Sequence, residues 1–362
     1  MTRMVVKVGS STVTTEDGKV DEQTVSQLCE QVASVTRAGR QVVVVSSGAI
    51  ACGWAALGRN GPRPTDPALL QAVSAVGQHR LMRAWTQGME AQGILAGQVL
   101  LAPLDFGHRR QYLHARETLG HLWDLGVVPI VNENDAVADD EIRFGDNDRL
   151  AALVAHLVRA DLLVLLTDTP GLLSADPRVE DGSLIEEVVE IDHRLMELAG
   201  GPGAVGSGGM ASKLMAARIA SWSGVTTVIA DGRRAGVVAA AVRGDPGIGT
   251  VCRARAQRMP ARKLWIAFAL AASGTLVVDD GARRALVDRG RSLLPAGVVE
   301  CRGRFDPEDA VEIAGRDGSV FAKGLVRYPS ERAAEWVKRR SEELPDDLSS
   351  VAVHRDDLVV LE

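Results

Sequence analysis

Cysteine is scarce in this chain. There are four in 362 residues, at positions 29, 52, 252 and 301, and none forms a C-x-x-C pair. That spacing excludes a disulfide framework and a thiolate zinc site. Free thiols in a reducing compartment are the simpler reading. Aromatic residues are also few, at 4 % of the chain with two tyrosines. A basic-aromatic platform for stacking nucleic-acid bases is therefore missing. Internal repeats and low-complexity tracts are absent as well. The opening MTRMVVKVGS reaches Lys7 inside its first apolar run and lacks the apolar core of a signal peptide. The longest uncharged run, residues 42–58, is interrupted by Ser46, Ser47, Gly48, Gly53 and Gly58. Its first part reads as a buried strand rather than a membrane span. A cytoplasmic protein with no membrane partner is expected.

The length exceeds what one ordinary core fills, so two domains are expected. Net charge is modestly negative, −6, which gives no global nucleic-acid signal. The charge is uneven: residues 253–304 carry eleven Lys/Arg against four Asp/Glu.

Short apolar runs rich in β-branched residues alternate with helical patterns. The runs lie at residues 4–8, 41–45, 94–101, 127–131, 162–166 and 225–230. Between the first two, Val25, Leu28, Val32 and Val35 recur at helical spacing, with Asp21 placed to cap the start and Gly39 to end the helix. Such alternation predicts a mainly parallel sheet with helices on both faces. Ligands of these sheets bind beyond the carboxyl ends of the strands. Four of those ends carry small hydroxyls, amides or carboxylates: Gly9-Ser10-Ser11, Ser46-Ser47-Gly48, Asn132-Glu133-Asn134-Asp135 and Thr167-Asp168. One such end is ordinary turn chemistry; four together point to one shared site. After about residue 258 the strand-like pieces become short and consecutive, at 274–278, 297–303, 310–315 and 321–328. We expect an α/β domain over residues 1–257, a linker over 258–271 and a small β-rich domain over 272–351.

Two lysines stand out. GSGGMASK, residues 206–213, is not a P-loop, because Ser212 precedes Lys213 and Leu214 follows it. Glycines before a helix leave backbone N–H groups free for an anion, and Lys213 lies one turn into that helix. Alone, the stretch also fits a flexible surface loop. Lys7 sits within a buried strand, where an ammonium is expensive without an anionic partner or a strand end. GDND, residues 145–148, places Asp146, Asn147 and Asp148 just before a helix expected over 150–158; any one of them could be an N-cap.

KVGSS, SSGAIACG, NENDAVA, GDND, TDTPGLLSADPR and GSGGMASK, in this order and spacing, resemble the glutamate 5-kinase family of the amino-acid kinase superfamily. GRSLLPAGV at 290–298 and FAKGLVRY at 321–328 resemble the PUA domain appended to many bacterial members. The likeness covers nearly the whole chain. It implies a three-layer αβα sandwich with a mainly parallel sheet, followed by the PUA domain. It also implies the reaction: ATP, carrying Mg²⁺, phosphorylates the γ-carboxylate of L-glutamate to L-glutamyl 5-phosphate, the first step of proline biosynthesis. By motif match, Lys7, Thr167, Asp168, Ser207, Gly208, Gly209, Met210, Ala211, Ser212 and Lys213 would bind ATP. Ser47, Asp135 and Asn147 would hold glutamate, with Ser47 and Asn147 donating to its carboxylates and Asp135 accepting from its ammonium. Lys7, Lys213 and Asp148 would be catalytic, Asp148 orienting the lysines, and no protein residue would bind metal directly. Feedback inhibition by proline, a homo-tetramer built through the kinase domain and a glutamyl phosphate reductase as partner are further implications.

Three positions depart from the family pattern: Ser207 where Thr is common, Cys52 after SGAIA where Ala is usual, and Glu308 at a turn position often held by Gly. The competing readings are a sister kinase acting on acetylglutamate or another acceptor, and an RNA-binding protein acting through its PUA domain.

Overall fold

The computed structural model describes residues 2–59, 64–106, 108–137, 147–175, 182–200, 209–268, 270–336 and 351–361. It divides into two compact units, Met1–Arg258 and Met259–Glu362.

In the first unit the strands are β1 (Arg3–Val8), β2 (Gln41–Ser46), β3 (Leu95–Leu101), β4 (Val127–Glu133), β5 (Leu162–Thr167), β6 (Glu187–Val188), β7 (Thr226–Asp231) and β8 (Thr250–Cys252). They form one sheet in the order β3-β4-β2-β1-β5-β7-β8-β6. All pairings are parallel except β7 with β8. The helices are α1 (Ser10–Val13), α2 (Glu22–Arg37), α3 (Ala49–Ala56), α4 (Pro67–Glu90), α5 (Arg109–Asp124), α6 (Asn147–Leu157), α7 (His193–Leu198), α8 (Met210–Trp222) and α9 (Val237–Arg243). The expected caps of α2 are present: Asp21 accepts from Thr24 N at 3.0 Å, and Gly39 turns the chain at φ +86°.

Side chains alternate across a strand, and β1 shows what that does. Met4, Val6 and Val8 join the core cluster shared with α2, α4 and α9. Val5 and Lys7 therefore face the other side, where α6 packs on β1. The same alternation that buries β1 on one face thus aims Lys7 at α6 on the other. α4 is held by an unusually close crossing with α3. A Cβ on Gly53 would sit 1.9 Å from Val73 O, and one on Gly77 would sit 1.8 Å from Ala49 O. Only glycine lets these two backbones meet.

The second unit contains β9 (Gly274–Val278), β10 (Val298–Gly303), β11 (Ala310–Ala314), β12 (Val320–Val326) and β13 (Val353–Val360), ordered β10-β9-β11-β12-β13, with helices α10 (Ala261–Phe268), α11 (Asp280–Val287) and α12 (Ser330–Trp336). Two features differ from the sequence reading. The stretch read as a linker carries α10, whose Leu264 and Ile266 are buried. β13 lies beyond the expected end at 351, and its Val353 and Leu358 belong to the unit's core. A polar tail precedes that strand in the sequence and masked it.

Candidate active site

The strand ends expected to share a site do lie side by side. β2, β1 and β5 are adjacent and parallel, with Val8 in register with Ser46 and Leu166. Lys7 therefore approaches the carboxyl end of β1 between the ends that carry Ser46-Ser47 and Thr167.

Its partner is Asp148. The side chains of Lys7 and Asp148 form an ion pair, and Lys213 Nζ lies 3.1 Å from Asp148 Oδ2. Relative exposure is 2 % for Lys7, 5 % for Lys213 and 0 % for Asp148. Burial alone would push the Asp148 carboxyl up, but Lys7 and Lys213 outweigh it and hold the group below the usual carboxylate range. Ser212 Oγ is also 2.9 Å from Asp148 Oδ2. Two buried cations thus share one buried anion. The pair of ammonium groups carries one positive charge more than the carboxylate returns, in a place that water does not screen. An anionic ligand would meet that charge.

The helix geometry explains how three remote residues converge. α6 begins at Asn147, earlier than its apolar periodicity suggested, so Asn147 and Asp148 are first-turn residues and not caps. α6 packs against α8, which Gly209 caps in an extended conformation without a side-chain hydrogen bond. Met210, Ala211, Ser212 and Lys213 form its first turn, and Lys213 N donates to Gly209 O at 3.4 Å. Ser207 and Gly208 lie outside the described residues, as does Asp146. Thr167 is buried at the end of β5 with its hydroxyl 3.1 Å from Asp168 Oδ1, while Asp168 itself is exposed.

The expected glutamate-binding residues gather at the same strand ends. Asp135 is buried and accepts from Ser74 Oγ. Asn147 Nδ2 donates to Ser46 O and to Asn132 Oδ1, both at 2.6 Å. Asn132 Nδ2 donates to Gln78 Oε1 at 2.5 Å, and Trp85 Nε1 donates to Ser46 Oγ at 2.9 Å. Ser47 Oγ is buried without a hydrogen-bond partner among the described residues. One expectation needs correcting. Asn147 has spent both side-chain N–H bonds inside the protein, so in this arrangement it has none left to donate to a substrate carboxylate.

Sequence reasoning missed Ser74, Gln78 and Trp85, all on α4. The signal was present: Ser74, Gln78 and Trp85 recur at i, i+4 and i+11 and so share one helix face, with Gly77 between them at the α3 crossing. Among the described residues no histidine bonds to Lys7, Lys213, Asp148, Asn147, Asp135 or Ser47. His156 on α6 is buried.

The comparisons agree with this geometry. The Amino acid kinase family profile matches residues 2–231 and the PUA domain profile residues 274–348. The chain belongs to the amino acid kinase family. Within it, the curated protein "Glutamate 5-kinase" of Syntrophotalea carbinolica is 44 % identical over 364 residues, covering 99 % of this chain and 97 % of the relative. The "Glutamate 5-kinase" of Nocardia farcinica is 46 % identical over 356 residues, covering 98 % and 96 %. Among solved structures, an isopentenyl phosphate kinase of T. acidophilum aligns at 19 % identity and TM-score 0.47, over 70 % of this chain and 100 % of its own. No helix among the described residues is long and apolar enough to cross a membrane.

Proposed function

We infer that the chain transfers the γ-phosphoryl group of ATP to the γ-carboxylate of L-glutamate, forming L-glutamyl 5-phosphate for proline biosynthesis. The observation that carries this reading is the buried Lys7–Asp148–Lys213 cluster at the strand ends, in a chain whose curated relatives at 43–46 % identity are glutamate 5-kinases.

The chemistry brings two anions together. At about 4 Å and an effective dielectric near 20, each pair of like unit charges costs roughly 4 kcal/mol. Lys7 and Lys213 offset this by flanking the transferring group, fixed in place before the reaction by Asp148. A carboxylate nucleophile is already ionised at neutral pH, so no general base is required. Asp148 is unsuited to holding a metal, because its oxygens face Lys7, Lys213 and Ser212. Mg²⁺ fits as an ion carried on the phosphates, where it neutralises charge on the transferring group. Gly209 and the first turn of α8, with Ser207 and Gly208 before it, would grip the phosphates, and Thr167-Asp168 the nucleotide. Ser47, Asp135 and Asn147 would hold glutamate.

The same reading has four extensions. Proline reproduces the ammonium, α-carboxylate and side-chain carbons of glutamate without the γ-carboxylate, so it would compete at the glutamate pocket. Glutamate saturation curves that do not move with added proline would count against this. The acyl phosphate is a reactive mixed anhydride and needs prompt consumption, which a glutamyl phosphate reductase would supply. A tetramer built through the kinase unit fits the exposed apolar residues there, Leu95 on edge strand β3 and Leu125, which are 61 % and 75 % exposed. The location would be cytoplasmic. A panel of acceptors tests the core claim: hydroxylamine should trap a hydroxamate with L-glutamate and ATP, and none with N-acetylglutamate, aspartate, carbamate or UMP. Steep salt-dependent RNA affinity without glutamate-dependent ATP consumption would favour the RNA-binding alternative.

A further inference from the structure

A cavity of about 350 Å³ opens beside the α3–α4 crossing, and none of its lining residues belongs to the site described above. Its size falls in the range of small-molecule pockets, about 300–1,000 Å³. Two of its walls are helical. On α4, Arg80, Arg83 and Gln87 recur at i, i+3 and i+7 and so project from one face. On α3, Cys52, Ala55 and Ala56 recur at i, i+3 and i+4 and line the other side. The turn leading into α2 adds Lys19 and Glu22. That turn is fixed in place: Thr15 N donates to Lys19 O at 2.9 Å, and a Cβ on Gly18, at φ +77°, would sit 3.1 Å from Ala51 O of α3.

The walls differ in chemistry. The α3 side is small and uncharged, since burial pushes the Cys52 thiol up to about 11 and keeps it protonated at neutral pH. The α4 side is cationic. Lys19 is paired with Asp17, and Glu22 is the one acid among the described lining residues. Arg80 and Arg83 form no hydrogen bond or ion pair among the described residues.

We propose that this cavity is an effector site for a small dianion, a dicarboxylate or a phosphate monoester. Arg80 and Arg83 would grip the charged oxygens, with the short carbon chain against Cys52, Ala55 and Ala56. Guanidinium groups suit this task, because they are weakly hydrated and meet carboxylate or phosphate oxygens in a bidentate fork. Both helical walls reach the substrate site. α3 starts directly after Ser47-Gly48, and α4 carries Ser74 and Gln78, which hold Asp135 and Asn132. At Gly53 and Gly77 the two helices meet backbone to backbone, so no layer of side chains absorbs a relative shift there. A ligand clamped between them acts on the glutamate pocket, and by linkage glutamate acts on the ligand. This coupling, unlike the binding itself, rests on the kinase reading.

The test measures binding of succinate and of glycerol 3-phosphate to the full chain by calorimetry. Mg²⁺ and a non-hydrolysable ATP analogue are present to occupy the phosphate site. Glutamate KM is measured with and without each probe. The comparison is with the double variant Arg80→Gln/Arg83→Gln, which removes the charge, and with Ala56→Phe, which fills the space. All three positions are exposed, so both variants should fold and keep glutamate turnover. At least one probe should bind wild type saturably, and which one binds decides between dicarboxylate and phosphate monoester. The double variant should weaken that binding at least tenfold and Ala56→Phe at least threefold. The bound probe should move the glutamate KM of wild type at least threefold and leave that of the double variant in place. No saturable binding of either probe, or binding that survives both variants, overturns the site. Binding lost in the variants without any movement of KM overturns its role as an effector. Absence of glutamate turnover by wild type overturns the kinase reading and the coupling, while the probe affinities still decide whether the cavity is a binding site.

Discussion

Each unit of this chain contains a carboxylate shared by two cations. In the kinase unit it is Asp148, between Lys7 and Lys213; in the C-terminal unit it is Asp357, 2.7 Å from Arg262 Nε and 3.7 Å from Arg327 Nη2. The stoichiometry is the same and both carboxylates are buried, but the surroundings of the cations are opposite. Lys7, Lys213 and Asp148 are buried, whereas the Arg262 and Arg327 side chains are 57 % and 40 % exposed. Asp357 itself is 9 % exposed, but water and salt reach the two guanidinium groups and screen their surplus charge. Around Asp148 both ammonium groups are buried, so water screens their charge far less. The comparison teaches that burial of the cations, and not the count of charges, turns this arrangement into a binding site.

The largest effects should come from the two aspartates treated alike. Asp148→Asn would remove the buried anion that Lys7 and Lys213 share, and breaking a buried pair by removing one partner costs about 3–5 kcal/mol. Asp357 is itself buried, at 9 % exposure, but its arginines reach solvent, so Asp357→Asn would leave cations that water can solvate and should cost less than Asp148→Asn. Denaturant melts of the two variants measure both. Similar losses would break the comparison. Lys213→Ala comes next. Removing one transition-state donor should lower turnover by about two to three orders of magnitude, with the fold retained because Lys7 still pairs with Asp148. ADP release read beside a circular dichroism spectrum checks this. Unchanged turnover would remove Lys213 from the mechanism.

How much of this was legible beforehand differs between fold and site. The six longer strands of the kinase unit read correctly to within a residue or two, because each is a short, mainly apolar run bounded by turn chemistry. β6 and β8 span two and three residues, too short for any periodicity. Lys7 was visible as a lysine in a place where lysine is expensive, and Lys213 as a lysine one turn into a helix led by glycines. Asp148 was ambiguous, since a first-turn acid and an N-cap look alike until the lysines are seen to reach it. The α4 contacts were hidden for another reason. A polar residue on an amphipathic helix reads as solvated, and only the Gly53–Gly77 crossing presses Ser74 and Gln78 inward. The direction of the Asn147 amide is set by Ser46 O, a backbone group, and leaves no trace in residue type.

Acid should separate the units further. His156 on α6 is buried beside Ser223 Oγ at 3.2 Å. Burial first, then the nearby charges of Arg258 and Arg159, push its imidazole from 6.5 down to about 4. Its folded pKa is below its unfolded one, so the unfolded chain takes up the proton first as pH falls. The stability it contributes is whole above pH 6.5 and is lost progressively toward pH 4. By pH 5 the loss should be about 2 kcal/mol. Melts at pH 7 and pH 5 should show this loss in the kinase unit, and His156→Leu should flatten it. A pH dependence unaltered in that variant would assign the acid sensitivity elsewhere.

The smallest effect concerns the C-terminal unit and a residue already odd in the sequence. Glu308 adopts φ +73°, in the left-handed region that disfavours a side chain. The turn enforces it from both sides: Glu308 N donates to Val326 O at 2.7 Å, and Asp306 N donates to Asp309 Oδ2 at 2.9 Å. The side chain is exposed and forms no ion pair among the described residues, so little is lost by removing it. Glycine would relieve about 1–2 kcal/mol of backbone strain and give back part of that through a freer unfolded chain. Glu308→Gly should therefore stabilise the C-terminal unit by about 0.5–1 kcal/mol and leave glutamate-dependent ADP release unchanged. The unfolding midpoint of that unit, followed beside kinase activity, measures both. Lower stability in the variant would mean that Glu308 contributes something its backbone angle does not reveal. A change in kinase rate would mean that this turn and the buried lysine cluster are energetically linked, and the contrast between the two carboxylates would then no longer describe two independent regions.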